Sequence, residues 1–470
     1  MSRPLAILIT LLCYLAALIG IGVWASRRTH DDGDFFLGGR RLGAWVAALS
    51  ASASSSSAWT LLGVSGAAWA WGLSALWLFP ATVSGFLINW LWVAPRLMEK
   101  SRADGSLTLT EFIAGDRQHP LHTTIVRVAS VAILVSFLFY IASQFQAAGH
   151  AFSSAFGMSV NASIAVGAVV IVAYTLLGGF WAVSVTDMLQ GLLMAASALF
   201  LPLVALVAVG GPGALVAGLQ EMAPTGALSL TRNLGGWMAV AFVLGTLGIG
   251  LGYPGQPHVV NRFMALRDVG ALRRGRLIAI GWAVVIYAGM LLLGLCGRVL
   301  WPGVPDGEQI LFETATRLLS PVLAGIVIAA VLSAIMSTAD SQLLVASSSI
   351  SWDWRRGVAG GPERRGLALT RAVVLIVSLV AMALAVFAPA AIFSRVLFAW
   401  HALGSAFGPV LVVRLAGYAI DSRAVLGSIV AGFGLTVVLY LMPDAPGDAA
   451  ERLIPLMVAL AIAWAGRRRA

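Results

Sequence analysis

Apolar residues fall in long blocks separated by short polar connectors, without the period-two alternation of half-buried strands. A hydrocarbon core about 30 Å thick requires roughly 20 mostly apolar residues per spanning helix. Thirteen blocks meet that length, at about 5–25, 43–70, 75–95, 124–149, 160–180, 185–209, 235–255, 276–299, 318–349, 369–388, 391–414, 424–442 and 452–466. They predict an all-α polytopic membrane protein with 13 transmembrane helices. The longest polar stretches, 96–123, 256–275 and 351–371, are connector-sized, so 1–470 reads as one membrane domain without an appended soluble module. Only Arg3 precedes the first block, Arg27 and Arg28 follow it, and no small-residue cleavage site stands out. That flank pattern predicts a retained helix with its N-terminus outside, not a signal peptide.

Composition narrows the class further. Hydrophobic residues make up 59% and charged residues 11%, against roughly 25% charged in soluble domains. A disordered chain, a disulfide scaffold and a conventional soluble enzyme are excluded. The net charge of +10 is informative through its placement. With the N-terminus outside, 24 of the 30 Lys+Arg fall on inner segments, and only Arg3, Arg232, Arg298, Arg317, Arg395 and Arg452 on outer ones. This bias predicts an N-out, C-in topology and makes the bilayer, not nucleic acid, the partner of the cations. Cys13 and Cys296 lie in apolar blocks and read as small buried hydrophobes. Trp69 and Trp71 near the outer interface, and Trp90 and Trp92 near the inner one, fit aromatic belts. No HExxH, Cys/His cluster, Walker loop or nucleophile elbow occurs, which points away from an enzyme.

Three blocks are irregular. The second reads Ala48-Leu49-Ser50-Ala51-Ser52-Ala53-Ser54-Ser55-Ser56-Ser57-Ala58-Trp59, with six serines in eight residues. Two readings stand: close packing through small residues, or an unwound segment whose carbonyls and hydroxyls line a cavity. Five blocks later comes Gly245-Thr246-Leu247-Gly248-Ile249-Gly250-Leu251-Gly252-Tyr253-Pro254-Gly255. Each glycine weakens a helix by about 1 kcal/mol relative to alanine, and proline makes a regular span there unfavourable. Interrupted spans in matching places indicate inverted repeats around a midplane site. The ninth block contains Ser337 and Thr338, whose hydroxyls are hard ligands for a small cation or, alternatively, groups for helix packing. A carboxylate at the bilayer centre costs about 2.5–3.5 kcal/mol and is a functional signal by default. Asp187 and Asp340 are the acids in this position. Asp187 reads as a boundary acid or a guard on a cation exit path. Asp340, three residues past Ser337, reads as cation-linked or as a structural hydrogen-bonded acid. His150 and His401 lie near block ends, where interfacial hydrogen bonding is the commoner role.

The sequence resembles the sodium/solute symporter family from the first block to at least the eleventh. The likeness rests on Phe35-Phe36-Leu37-Gly38-Gly39-Arg40, on 174–187 (Tyr174 to Asp187) and on Met336-Ser337-Thr338. Gly252-Tyr253-Pro254-Gly255-Gln256-Pro257-His258 and Asn261-Arg262-Phe263-Met264-Ala265 are similar to the sodium/proline branch. The resemblance implies a LeuT-like inverted-repeat transporter: a leading helix (5–25), a five-helix repeat (43–209), its inverted copy (235–414) and two trailing helices (424–466). It implies a sodium site on the carbonyls of Ala53, Ser56 and Ala334 and the hydroxyls of Ser337 and Thr338. A substrate cavity at Ser57, Trp59, Tyr140, Tyr253 and Pro257 follows in the same way, with Asp187 matching an acid associated with cation passage. Two positions depart from the proline branch, which carries aspartate at Ser55 and tryptophan at Ile249. The first removes a negative charge beside the cation site, which Asp340 is expected to replace. The second reshapes the pocket. The implied function is a cation-coupled symporter of a bacterial inner membrane, importing a small amino acid, proline favoured, by alternating access. Sodium is the expected coupling ion and no cofactor is expected. The alternatives are a proton-coupled importer of another amino acid or small carboxylate, and a membrane sensor or channel-like protein.

Overall fold

Without water, a backbone satisfies its N–H and C=O groups only internally, so the apolar blocks fold as helices. The computed structural model describes residues 2–26, 37–176, 180–222, 226–350, 364–388, 390–443 and 445–469. Phe35 and Phe36, Leu177, Gly178 and Gly179, and the inner cations Arg27, Arg28, Arg355 and Arg356 lie outside the described residues. The first half of the chain contains α1 (Arg3–Ser26), α2 (Ala44–Ser55), α3 (Val64–Trp71), α4 (Leu78–Leu87), α5 (Ala94–Ala103), α6 (Leu109–Ala114), α7 (His122–Phe156), α8 (Val160–Thr175) and α9 (Phe180–Val209). A short α10 (Pro212–Glu221) leads to α11 (Gly236–Gly248), α12 (Pro257–Met264), α13 (Val269–Leu300), α14 (Ile310–Leu318), α15 (Pro321–Ser348), α16 (Arg364–Phe387) and α17 (Ile392–Leu415). α18 (Ser422–Tyr440) and α19 (Ala449–Ala465) trail.

Nine helical runs among the described residues are long and apolar enough to cross a membrane. The number falls short of 13 partly because Trp59–Ala103 counts as one run, although Gly72 at φ 63° turns the chain between α3 and α4. Val160–Ala173 and Arg371–Phe387 are apolar but shorter. α15 and α17 run through the interior, whereas α1, α9 and α18 keep much of their surface outward. The sequence pattern does not predict the one sheet among the described residues, in which β1 (Tyr418–Ile420) pairs antiparallel with β2 (Arg467–Arg469).

Both irregular blocks break. α2 ends at Ser55, Ser56 leaves helical geometry at φ −116°, ψ 76°, and helix resumes through a π turn at Trp59–Gly63. The second break falls later than the glycines suggest. A tight 3-10 turn covers Ile249–Gly255, and the chain opens only at Gln256, at φ −91°, ψ 102°. The glycines serve close approach instead. A Cβ at Gly255 would lie 2.6 Å from the Gly404 Cα, and one at Gly250 would strike the Ala81 carbonyl.

The broken helices are tied together at one end. Leu42 N–H donates to the Ala265 carbonyl (3.1 Å), and Arg267 N–H donates to the Leu42 carbonyl (2.9 Å). Arg40 adds bonds to the carbonyls of Ser101 (3.2 Å) and Ser106 (2.7 Å). At the other end, the Glu308 carboxylate accepts from the N–H groups of Ile392 (3.1 Å) and Phe393 (2.8 Å), and so caps α17. The Phe393 ring lies 5.6 Å from Trp59 and 5.1 Å from Trp71.

Several side chains sit elsewhere than the sequence pattern places them. Trp90 is buried edge-on against Phe263 (5.0 Å), not in an interfacial belt. Cys13 is exposed on the surface of α1, whereas Cys296 is buried. Arg262, expected on an inner loop, and Arg395 and Arg452, expected on outer segments, are all buried.

Close helix packing makes a direct prediction on α13. A Cβ at Gly289 would strike the Ala198 carbonyl of α9, whereas one at Gly281 would meet nothing within 4 Å. Gly289→Ala is expected to cost about 1–3 kcal/mol through overpacking, and Gly281→Ala nothing measurable. Thermal unfolding of the purified protein in detergent checks this. Equal melting of the two variants would contradict the packing account.

Candidate functional site

The first break frees backbone groups in the middle of the molecule, and α15 supplies hydroxyls to them. Ser337 Oγ donates to the carbonyls of Ala53 (3.3 Å) and Ala334 (3.3 Å). Thr338 Oγ1 reaches the carbonyls of Ala53 (3.5 Å) and Ser54 (3.2 Å). Ala53, Ala334, Ser337 and Thr338 are thus brought together, and all four are fully buried. The Ser54 carbonyl joins them although the sequence does not suggest it. Ser56 contributes a hydroxyl to Tyr287 (3.4 Å), and its carbonyl is not among the groups that Ser337 and Thr338 contact. Ser55 turns its hydroxyl back to the Ser52 carbonyl (2.9 Å) and adds no charge. Hard, neutral oxygens converging on one point suit a small cation.

Just past the break lies an aromatic-walled region. Tyr140 OH bonds Ser57 Oγ (3.2 Å), and Tyr253 OH bonds Tyr287 OH (3.1 Å). Tyr287 in turn meets Thr60 Oγ1 (3.3 Å), and its ring centroid is 6.4 Å from Trp59. Tyr287 therefore joins the two broken helices. Pro257 opens α12, and the ring of its neighbour His258 stands edge-on to Tyr140 (6.2 Å). Ile249 offers its carbonyl to Trp400 Nε1 (3.2 Å).

The two acids belong to one buried ion network. Asp187 Oδ2 accepts from Ser50 Oγ (2.7 Å), Ser54 Oγ (3.2 Å) and Arg262 Nη2 (3.1 Å). Arg262 also bonds Ser50 Oγ (3.0 Å), Ser341 Oγ (2.5 Å) and the His258 carbonyl. Ser341 Oγ bonds Ser54 Oγ (3.0 Å) and donates to Asp340 Oδ1 (3.3 Å). Asp187 and Asp340 are both 0% exposed and Arg262 is 1% exposed, so none of the three is a boundary residue reaching for water. Arg262, Tyr287, Ser341 and Gln144 escaped the sequence reading. For Tyr287, Ser341 and Gln144 the available signal is a polar side chain inside an apolar block, whereas Arg262 lies in a polar stretch and gives none.

Residues 35–431 match the sodium:solute symporter family. The chain belongs to this family. The symporter is 36% identical over 459 residues to the high-affinity proline transporter PutP of Bacillus subtilis (strain 168), covering 94% of this chain and 95% of that one. It is 34% identical over 451 residues to the sodium/proline symporter of Escherichia coli (strain K12), covering 93% and 88%. In three dimensions the symporter superposes on a Na+-coupled sialic acid symporter in a substrate-bound outward-open state, with TM-score 0.82, 17% identity and 99% coverage of both chains. MhsT in complex with L-phenylalanine gives TM-score 0.54 at 13% identity, covering 90% and 98%. The fold is that of the LeuT-like transporters.

The ion network predicts a coupled response to mutation. Removing one partner of a buried ion pair costs about 3–5 kcal/mol, because the other charge is left uncompensated. Arg262→Gln is expected to destabilise the symporter by that order. Combining it with Asp187→Asn should recover part of the loss. A double-mutant cycle on thermal stability in detergent measures the coupling, and additive losses would contradict the pairing.

Proposed function

We propose that the chain is a sodium-coupled importer of proline in a bacterial inner membrane, working by alternating access. The names of the bacterial relatives support the substrate and the ion. The observation that carries the reading is the pairing of Ser337 and Thr338 with the last carbonyls of α2. Sodium binds there to the carbonyls of Ala53, Ser56 and Ala334 and to the two hydroxyls, which turn their lone pairs to the ion. Proline occupies the region bounded by Ser57, Trp59, Tyr140, Tyr253 and Pro257. The chain crosses the membrane 13 times, N-terminus out and C-terminus in, with repeats at 43–209 and 235–414. The charge split between inner and outer segments supports this topology.

Coupling requires sodium and proline to favour the same closed state, and no covalent step is involved. Sodium fixes the joint of the first broken helix against α15. Proline then completes the contact between the two broken helices beside it. Inward release requires the inner ties at Leu42 and Arg40 to open.

Asp340 supplies the charge that Ser55 lacks. The sodium ligands are neutral, whereas Asp187 and Asp340 together set two carboxylates against the single guanidinium of Arg262. Asp340 lies on the same helix as Thr338, and in a medium of low dielectric constant a bound cation favours its ionised form. Asp187 joins α9 to the network and flanks the route by which sodium leaves.

Uptake of labelled proline into proteoliposomes, with sodium and proton gradients imposed separately, tests this function. Accumulation is expected with inward sodium and not with a proton gradient alone. Proton-driven accumulation would favour the alternative coupling ion, and absence of any flux would overturn the transporter reading. Thr338→Ala and Asp340→Asn are each expected to raise the sodium concentration for half-maximal uptake about tenfold, the effect of roughly 1.4 kcal/mol. An unchanged sodium dependence in Asp340→Asn would remove Asp340 from coupling.

A further inference from the structure

α7 brings Tyr140, Ser143 and Gln144 to the break in the first broken helix. Gln144 is fully buried, and its Oε1 accepts the N–H of Ala58 at 3.1 Å. That bond determines how the amide is turned, because a backbone N–H has nothing to donate to an NH2 group. Nε2 therefore lies on the opposite side, where one of its two hydrogens goes to Ser143 Oγ (3.1 Å). Ser143 is fixed in turn by its bond to the Tyr140 carbonyl (2.6 Å). The second hydrogen of Nε2 remains available.

Two further donors lie on the broken segment itself, at Ser57 and Trp59. Ser57 Oγ accepts from Tyr140 OH (3.2 Å) and from Trp59 N–H (3.2 Å), which leaves its own hydrogen to give. Trp59 Nε1 is buried without a hydrogen-bond partner. A buried donor without a partner costs about 1–3 kcal/mol, so an acceptor belongs here. The carboxylate of an amino acid is such an acceptor, and it needs several donors once it leaves water.

We propose that Gln144 determines specificity for the substrate's carboxylate, donating its second amide hydrogen to that group together with Ser57 Oγ and Trp59 Nε1. This inference rests on the amino-acid-import reading above and names the group that recognises one end of the substrate. Ala58 N–H and Ser143 hold the amide, so the donor is in place before the ligand arrives. Recognition of this kind rejects an analogue lacking the negative acceptor, because the donors are then left without a suitable partner.

Gln144→Glu separates this role from a structural one. Either carboxyl form retains an oxygen for Ala58 N–H, so the fold is kept, which thermal unfolding in detergent checks. When protonated, the glutamic acid offers one hydrogen to the substrate; when ionised, it offers none and repels a carboxylate. Sodium-driven uptake by this variant should therefore show a KM for proline that rises at least tenfold as pH is raised, with little change in maximal rate. Competition by L-prolinamide should be much less affected, and wild type should show no such KM profile. A second variant, Gln144→Met, removes the donor entirely and should narrow the preference for proline over L-prolinamide. Wild-type KM values in both variants, or equal effects on proline and its amide, would overturn the role of Gln144. Should neither variant fold, wild-type competition decides: L-prolinamide competing as well as proline overturns the proposal, and competition at least tenfold weaker supports it. Wild type that takes up no proline under a sodium gradient overturns the function itself, a result distinct from active wild type with unresponsive variants.

Discussion

Backbone polar groups released within a membrane must find partners in the protein, and this constraint organises the molecule. Each unpartnered group in a dry interior costs several kcal/mol. The break after Ser55 is supported from both sides: Ser337 and Thr338 serve the carbonyls of its first half, and Gln144 serves the first N–H of its second. The second break is supported likewise. Gln256 Nε2 donates to the carbonyls of Gly252 (3.0 Å) and Trp400 (2.8 Å), and Asn89 Nδ2 donates to that of Tyr253 (3.2 Å). The breaks are thus polar joints, most of whose partners come from other helices. A group held this way can be passed to an ion or substrate without exposing it to water, which is what a coupled transporter requires.

The ion network is a second constraint of the same kind. Arg262 sits near the end of α12, the second half of the second broken helix, and bonds residues of α2, α9 and α15. A guanidinium suits this position because its planar fork serves several acceptors at once. Ser54 links this network to Thr338, giving its hydroxyl to Asp187 and its carbonyl to Thr338. Ser55 folds its hydroxyl back onto the Ser52 carbonyl and takes no part in the network.

Much of this was legible in the sequence. Block lengths predicted membrane-spanning helices, the serine run offered an unwound segment as one of two readings, and Ser337 and Thr338 stood out as adjacent hydroxyls suited to a cation or to helix packing. The second break was assigned to the glycines, whereas they permit close contact and Gln256 opens the chain. Arg262 was counted with loop cations, because its partners Ser50, Asp187 and Ser341 are 212, 75 and 79 residues away. Hydropathy registers the cost of burying a polar residue but not the partner that offsets it. Gln144 and Tyr287 were missed for the same reason: each is a single polar group in an apolar block, and its purpose lies on another helix.

Coupling through a shared joint has one equilibrium signature, the reciprocity of sodium and proline binding. The most direct measurement is calorimetric titration of proline into the purified protein, in sodium and in choline at matched ionic strength. The account predicts binding at least tenfold tighter in sodium, with that difference largely lost in Thr338→Ala. Equal proline affinity in the two salts would contradict it.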